Sequence, residues 1–438
     1  MEDKKNFVSI RSFVTALIII AALMVLSYAA TLLIPCEGIS FGTWILSPLL
    51  VLGSDDKITL IGVILFLLII GGTFQALLDC GVMRYMVDKI TCRYSSKKYV
   101  LLAAVELFFM ALGSLVGSFE EVVPMVPIIT ALAVSLGWDA LTGVTMSLLA
   151  VGCGFAAGVF NPFTVGICQE LAGLPMFSAA WFRALNFVFI YVLLFLFSRA
   201  HAKKIDRGNV AAETAVFEKD VKKDRGVLVF ALIILLGIAI LLSTAFLPFL
   251  RDYSFVIVSL MFLIAGVCSC LISGMAGKTF FSSFGRGALS MLPAVVMILM
   301  ASSIKFTLQT AGIFEVIVDA AVKLASGLPS WAVILFIYLF VLLMNFFIAS
   351  GSAKAIMLTP LLLPLAQSFG ISAQLVVVAY AFGDGFSNAF YPTNPALLIS
   401  LGLADTSYKD WFRHSGKFQL MNLLLTSLLL LLGMLLGV

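Results

Sequence analysis

Long apolar runs alternate with short polar clusters along the whole chain. The runs have the length that crosses a bilayer, where about 20 helical residues span a ~30 Å hydrocarbon layer. Residues 12–34 and 58–79 form the first two. Residues 99–116 and 120–136 are two shorter apolar arms joined by Gly117-Ser118, a pair that favours a turn over a straight helix. Two full crossings and a re-entrant hairpin would both return the chain to the side it came from. The polar tip Ser118-Phe119-Glu120-Glu121, followed by Pro124 and Pro127, favours the hairpin. A run over 140–174 is interrupted between Gly152 and Pro162, and 182–200 is continuous. Residues 227–248 stand alone, and then the order repeats: runs at 253–272 and 289–312, then arms 331–350 and 355–369 joined at Gly351-Ser352. An interrupted run follows over 372–403, and a last run ends at Val438.

The repetition extends to single residues, at a displacement of about 231 positions. Gly152-Cys153-Gly154-Phe155 answers Gly383-Asp384-Gly385-Phe386, and Gly117-Ser118-Phe119-Glu120 answers Gly351-Ser352-Ala353-Lys354. Pro127, Leu132, Ala133 and Gly137 match Pro360, Leu365, Ala366 and Gly370. Gly81 and Asp88 match Gly312 and Asp319, and Phe182-Arg183 matches Phe412-Arg413. A lone crossing at 227–248 makes the two halves enter from opposite sides. The expected fold is therefore an all-α polytopic membrane protein with an inverted-topology repeat, two re-entrant helical hairpins and two interrupted transmembrane helices, with about 9 full crossings. Residues 1–438 form one integral membrane transporter domain: 12–200 is the first repeat, 201–252 a cytoplasmic linker with the inverting helix, and 253–438 the second repeat.

Composition strengthens the membrane reading. Apolar residues are 62% of the chain and charged residues 11%, where soluble domains are about a quarter charged. Mean hydropathy is +1.14. The net charge of +4 is modest and sits in loops, which excludes a nucleic-acid surface and informs orientation. Residues 80–98 carry Arg84, Lys89, Arg93, Lys97 and Lys98 against Asp88, and residues 201–226 are also basic, so both are expected to be cytoplasmic. The 36–57 loop, with Glu37, Asp55 and Asp56 against Lys57, is expected outside, which leaves the N-terminus cytoplasmic. MEDKKN leads into an apolar run with no small-residue cleavage site, so the first helix is read as retained. The seven cysteines include no CxxC pair, and His201 and His414 fall in polar stretches read as loops. No histidine-based metal site is expected. No nucleophile–base set or phosphate loop is present either, so the chain reads as a binding and transport protein without a cofactor, not an enzyme.

The interruptions carry the candidate chemistry. They read GCGFAAGVFNPFT (152–164) and GDGFSNAFYPTNP (383–395), and their glycines and Asn-Pro steps predict that the helix unwinds from Gly152 and from Gly383. Freed backbone groups in a bilayer cost several kcal/mol each unless protein, water or solute satisfies them. Unwound carbonyls, as at Gly154 and Gly385, suit a coupling cation, and the resumed helix starts behind Pro162 and Pro395 suit an anion. Asn161, Thr164, Ser387, Asn388, Thr393 and Asn394 add neutral donors and acceptors. Ser118 and Ser352 at the tips can cap the following arms, and Glu120 and Lys354 are positional counterparts of opposite charge. Intramembrane Glu106, Glu121, Lys305 and Asp384 are candidates by cost alone. Asp384, between two glycines, is the sharpest: it can ligate Na⁺ or carry a proton, with Lys305 as a possible neutralising partner. Gln75 and Asn345 are weaker candidates, and Arg183 and Arg413 read as interfacial anchors.

The stretches GSFEEVVPMVPIITALAVSLGWD and GCGFAAGVFNPFTVGICQELAGLP resemble the YfcC-like branch of the C4-dicarboxylate anaerobic carrier (DcuC-type) family, within the ion-transporter superfamily. GSAKAIMLTPLLLPLAQSFGIS and AFGDGFSNAFYPTNPALL are similar to that family's second half. The resemblance implies a scaffold part and a moving transport part, an elevator-like motion, a homodimer and a bacterial inner (plasma) membrane location. It also implies substrate and coupling-ion positions at Ser118, Asn161, Pro162, Thr164, Ser352, Asp384, Ser387, Asn388, Thr393 and Asn394. The expected function is secondary transport of a small carboxylate-bearing metabolite, C4-dicarboxylate or amino acid, coupled to Na⁺ or H⁺ or run as exchange. A basic amino acid antiporter of the arginine/ornithine type and a cation/proton antiporter without organic substrate are the alternatives.

Overall fold

The structure is a computed structural model that describes residues 10–438 except 55–56, 118, 207–218, 244–253 and 326. Every regular element among the described residues is helical. The first half runs α1 (Ile10–Leu33), α2 (Phe41–Leu50), α3 (Lys57–Asp79), α4 (Val82–Tyr94), α5 (Lys98–Val116), α6 (Val126–Ser135), α7 (Ala140–Val144), α8 (Ala150–Ala157), α9 (Ile167–Leu171) and α10 (Ala180–Ile205). Then come α11 (Val221–Ser243), α12 (Ser254–Ile272), α13 (Gly277–Ser290), α14 (Leu292–Thr310), α15 (Ile313–Ala325), α16 (Ser330–Phe347), α17 (Gly351–Ser368), α18 (Ala373–Gly385), α19 (Pro395–Leu403) and α20 (Tyr408–Leu436). The expected helix at 227–248 is α11, and its last residues lie outside the described set.

Seven helical stretches among the described residues are long and apolar enough to cross a membrane, and four shorter apolar helices accompany them. The chain is a multi-pass membrane protein. Burial separates these stretches by role: the Ala140–Leu171 stretch is 94% buried inside the protein, whereas Ala180–Ile205 is only 28% buried. The first interrupted segment is thus wrapped by other helices, the condition under which irregular backbone survives at membrane depth.

Helices of the two halves pair reciprocally. α1 packs on α14 and α3 on α12; α2 packs on α14 and α13 on α3. α5 crosses α8 as α16 crosses α18, and α8 meets α18.

Three sequence expectations change. Residues 36–57, read as a loop, contain α2, because the Ser40 hydroxyl caps Thr43 N–H and a short aromatic helix follows. The stretch between the runs at 253–272 and 289–312, where no element is expected, holds the amphipathic α13. Most consequentially, the helices run straight through the glycines. Gly152 and Gly154 are helical in α8, as are Gly383 and Gly385 in α18, and the first interruption starts only at Gly158 (φ +50). The glycines serve close approach instead. A Cβ at Gly154 would stand 1.9 Å from the Met110 carbonyl oxygen, and one at Gly385 would stand 2.2 Å from Ala156 Cα. Both obstacles are backbone and cannot swing aside.

This predicts that Gly154→Ala and Gly385→Ala each lower the thermal unfolding midpoint in detergent, by the equivalent of about 1–3 kcal/mol for overpacking. Gly277→Ala, with nothing within 4 Å of the added Cβ, should leave the midpoint unchanged.

Candidate functional site

The first interruption spans Gly158–Asn161, followed by a π turn over Pro162–Gly166 and α9. Asn161 Oδ1 caps the resumed helix, accepting from Phe163 N–H at 2.9 Å and Thr164 N–H at 3.3 Å. The second begins with a 3₁₀ turn, Phe386–Ala389, and ends where Asn394 Oδ1 accepts from Ala396 N–H at 2.9 Å ahead of α19. Pro162 and Pro395 follow these caps at the first helical position, where no N–H is missed.

The freed carbonyls are largely taken by protein donors. Val159 O accepts from the Arg183 guanidinium at 3.2 Å, and Ser114 covers Val159 N–H and Phe160 N–H. In the second interruption, Trp411 Nε1 donates to Ala389 O at 2.8 Å, Tyr408 Oη to Phe390 O at 3.1 Å and Gln419 Nε2 to Phe386 O at 3.1 Å. Arg183 is fully buried rather than an interfacial anchor, while its counterpart Arg413 is exposed. These four donors escaped sequence reading because their acceptors are backbone atoms. The one hint was the match of Phe182-Arg183 to Phe412-Arg413, just past each interruption.

Both tips converge on the first interruption. Gly117 (φ +72) sits where a Cβ would stand 2.1 Å from Asn161 Oδ1. A Cβ on Gly351 would stand 2.5 Å from Asp384 Oδ2 and 2.8 Å from Thr164 Cγ2. Ser118, the expected first-tip ligand, lies outside the described residues, as does the Glu121 side chain. At the second tip the α17 cap is Ser350, whose hydroxyl accepts from Ala353 N–H, rather than Ser352, which is half-buried in the first turn.

At the centre is a fully buried ion pair. Lys354 Nζ donates to Asp384 Oδ1 at 2.6 Å, to Asn345 Oδ1 and to Ile348 O at 3.4 Å. The partner of Asp384 is therefore Lys354 from the adjacent tip, not Lys305, which is half-buried on α14. Asn345, a weak candidate by sequence, is the hub. Its Nδ2 donates to Asp384 O, Ser387 Oγ and Asn388 Oδ1 at 2.7–3.0 Å. Asn388 Nδ2 donates to Asp384 O, and Asn394 Nδ2 to Asn388 Oδ1. Glu120 is half-buried at the start of the 3₁₀ turn Glu120–Met125. Glu106 is buried and makes none of these contacts. Gly154 and Gly385 are packing positions within helices.

Against this satisfied network, several buried polar atoms have no hydrogen-bond partner among the described residues: Asp384 Oδ2, Asn161 Nδ2, Thr164 Oγ1 and Thr393 Oγ1. Asp384 Oδ2 and the Thr164 side chain flank the same point at Gly351, and Asn161 stands three residues before Thr164. An unpaired buried polar atom costs about 1–3 kcal/mol, and Asp384 Oδ2, Asn161 Nδ2 and Thr164 Oγ1 leave that capacity open close to one another.

The two histidines are helical, not in loops. Their rings lie 4.3 Å apart, with His201 Nε2 on Asp139 at 3.0 Å and His414 Nε2 on Thr145 at 3.0 Å. Burial pushes the Asp139 carboxyl up, but hydrogen bonds from His201 and Thr142 outweigh it and hold it at about 2. No cluster of three metal-ligating side chains occurs among the described residues.

Removing one member of the central pair leaves a bare buried charge. Lys354→Met and Asp384→Leu should each destabilise the protein by about 3–5 kcal/mol, and the double variant by much less than their sum. Denaturant unfolding of the four proteins measures this; additive losses would contradict a direct pair.

Among known proteins, the chain is 28% identical over 377 residues to the "Putative basic amino acid antiporter YfcC" of Escherichia coli (strain K12), covering 81% of this chain and 74% of that one. It is 23% identical over 371 residues to an uncharacterised protein of Haemophilus influenzae, covering 82% and 72%. The crystal structure of the Alcanivorax borkumensis YdaH transporter aligns with 96% of this chain and 98% of its own, with TM-score 0.49 and 18% identity. The family model for the C4-dicarboxylate anaerobic carriers matches residues 50–435, nearly the whole of the described fold, and the chain belongs to that family.

Proposed function

We propose that this secondary transporter carries a small amino acid with a cationic side chain, by alternating access and exchange. The observation that carries the reading is the pairing within the cluster: among the described residues its cation, Lys354, is spent on Asp384 Oδ1, while Asp384 Oδ2 meets no donor, and Glu120 follows the first tip in sequence. A C4-dicarboxylate brings two negative charges to a cluster whose described cation is already paired. A cationic group instead finds Asp384 Oδ2 and Glu120, and an α-carboxylate finds the Asn161 amide and the Thr164 hydroxyl. The name of the Escherichia coli relative points the same way.

In this reading the arms α5–α6 and α16–α17 are re-entrant hairpins, their tips and the two interruptions enclose the solute near the midplane, and the halves are inverted repeats. In the same reading the basic stretches 80–98 and 201–226 lie on the cytoplasmic side of a bacterial inner membrane, and the N-terminus with them. A homodimer fits the same reading. The family description favours a second substrate class, C4-dicarboxylates. Under that reading Lys354 must leave Asp384 to meet the solute.

Counterflow in proteoliposomes separates the two. Saturable exchange of labelled arginine or ornithine, not competed by succinate or fumarate, is expected. Glu120→Gln should weaken it by about tenfold, the worth of roughly 1.4 kcal/mol. Saturable succinate or fumarate exchange with no response to cationic amino acids would overturn the reading.

A further inference from the structure

The Lys354 ammonium has three N–H donors and meets three oxygens from separate parts of the fold. Asp384 Oδ1 comes from α18, Asn345 Oδ1 from the last turn of α16, and Ile348 O from the residue that ends α16. The seat is built around the cation rather than met by chance. Asn345 spends its amide N–H₂ on Asp384 O, Ser387 Oγ and Asn388 Oδ1, so its oxygen is aimed at the ammonium. Ile348 O lies at the C-terminal end of an 18-residue helix, where partial negative charge accumulates. Lys354 itself stands in the first turn of α17, and its side chain folds back across the tip to reach that helix end.

The donor set identifies the kind of cation it suits. One carboxylate oxygen and two neutral oxygens give a single negative charge, which a monovalent cation balances. A divalent ion such as Ca²⁺ takes 6–8 oxygens, as a rule with several carboxylates. We infer that Lys354 is a tethered cation seated in a monovalent-cation site formed by Asp384, Asn345 and Ile348, so that the second half of the molecule operates without a dissolved cation at that position. The first half has no such filler, since Glu120 stands where the second has Lys354. The inference leans on the transport reading only for its consequence, exchange without Na⁺ at this seat. The seat itself can be read from stability alone.

Lys354→Ala shortens the side chain to a methyl group and leaves the three oxygens in place. Purified protein is unfolded thermally in choline chloride and, at constant ionic strength, in graded methylammonium, ammonium or sodium chloride. The wild type should show the same midpoint in choline chloride and in sodium chloride. Lys354→Ala should unfold earlier in choline and regain at least half of its loss, saturably, in methylammonium or one of the smaller cations, as linkage requires for an ion that binds only the folded state. Lys354→Ala/Asp384→Asn, with the seat's charge removed, should gain nothing. A Lys354→Ala protein indifferent to every cation would overturn the inference. If that variant is not obtained folded, the wild type and Asp384→Asn decide: a sodium-dependent rise in the wild-type midpoint that Asp384→Asn abolishes would show that Asp384 takes a dissolved cation, and would overturn it equally. No substrate enters these measurements, so a wrong substrate assignment leaves them intact.

Discussion

An interrupted helix inside a membrane protein must hand its freed backbone groups to other partners, and much of the core architecture follows from that constraint. Two asparagines, Asn161 and Asn394, cap the resumed helices from within. The carbonyls left behind need donors from elsewhere. α10 supplies Arg183 to the first interruption, and α20 supplies Trp411, Tyr408 and Gln419 to the second. Both helices follow their interruption in sequence and pack on each other. Their polar side chains, buried in an otherwise apolar protein, are explained by this duty.

The same constraint makes the two halves unequal. In the second, a lysine, an aspartate and three asparagines form one connected network, closed among the described residues except for Asp384 Oδ2. In the first, Asn161 and Thr164 spend only part of their hydrogen-bonding capacity. Gly351 brings Asp384 Oδ2 of the second half and the Thr164 side chain of the first to one point, because a glycine there lets backbone, Asp384 and Thr164 approach within a space no Cβ would share. The two halves thus contribute different atoms to one buried polar cluster.

Much of this was legible in order of residues. The apolar runs located nearly all the long helices, and the Gly/Pro/Asn clusters located both interruptions to within a few residues. They misplaced the start of each by treating every glycine as a breaker. Gly154 and Gly385 remain helical because buried helix positions select glycine for contact with a neighbouring backbone, a cause invisible without the neighbour. The 36–57 loop and the gap between the runs at 253–272 and 289–312 concealed α2 and α13, whose short or amphipathic pattern carries no strong crossing signal. Lys305 looked like the partner of Asp384 because both lie at membrane depth in the linear chain, yet the tip delivers Lys354 from 30 residues away.

The sequence by itself determined a helical membrane chain, its doubled plan and the places where its helices break, because hydropathy, proline, glycine and asparagine act on backbone within a turn or two. Only the tertiary structure decided which donors close the breaks, which lysine neutralises Asp384 and which polar atoms stay open. Those outcomes depend on distances between helices far apart in sequence, and charge pairing and hydrogen bonding fall away over a few ångströms.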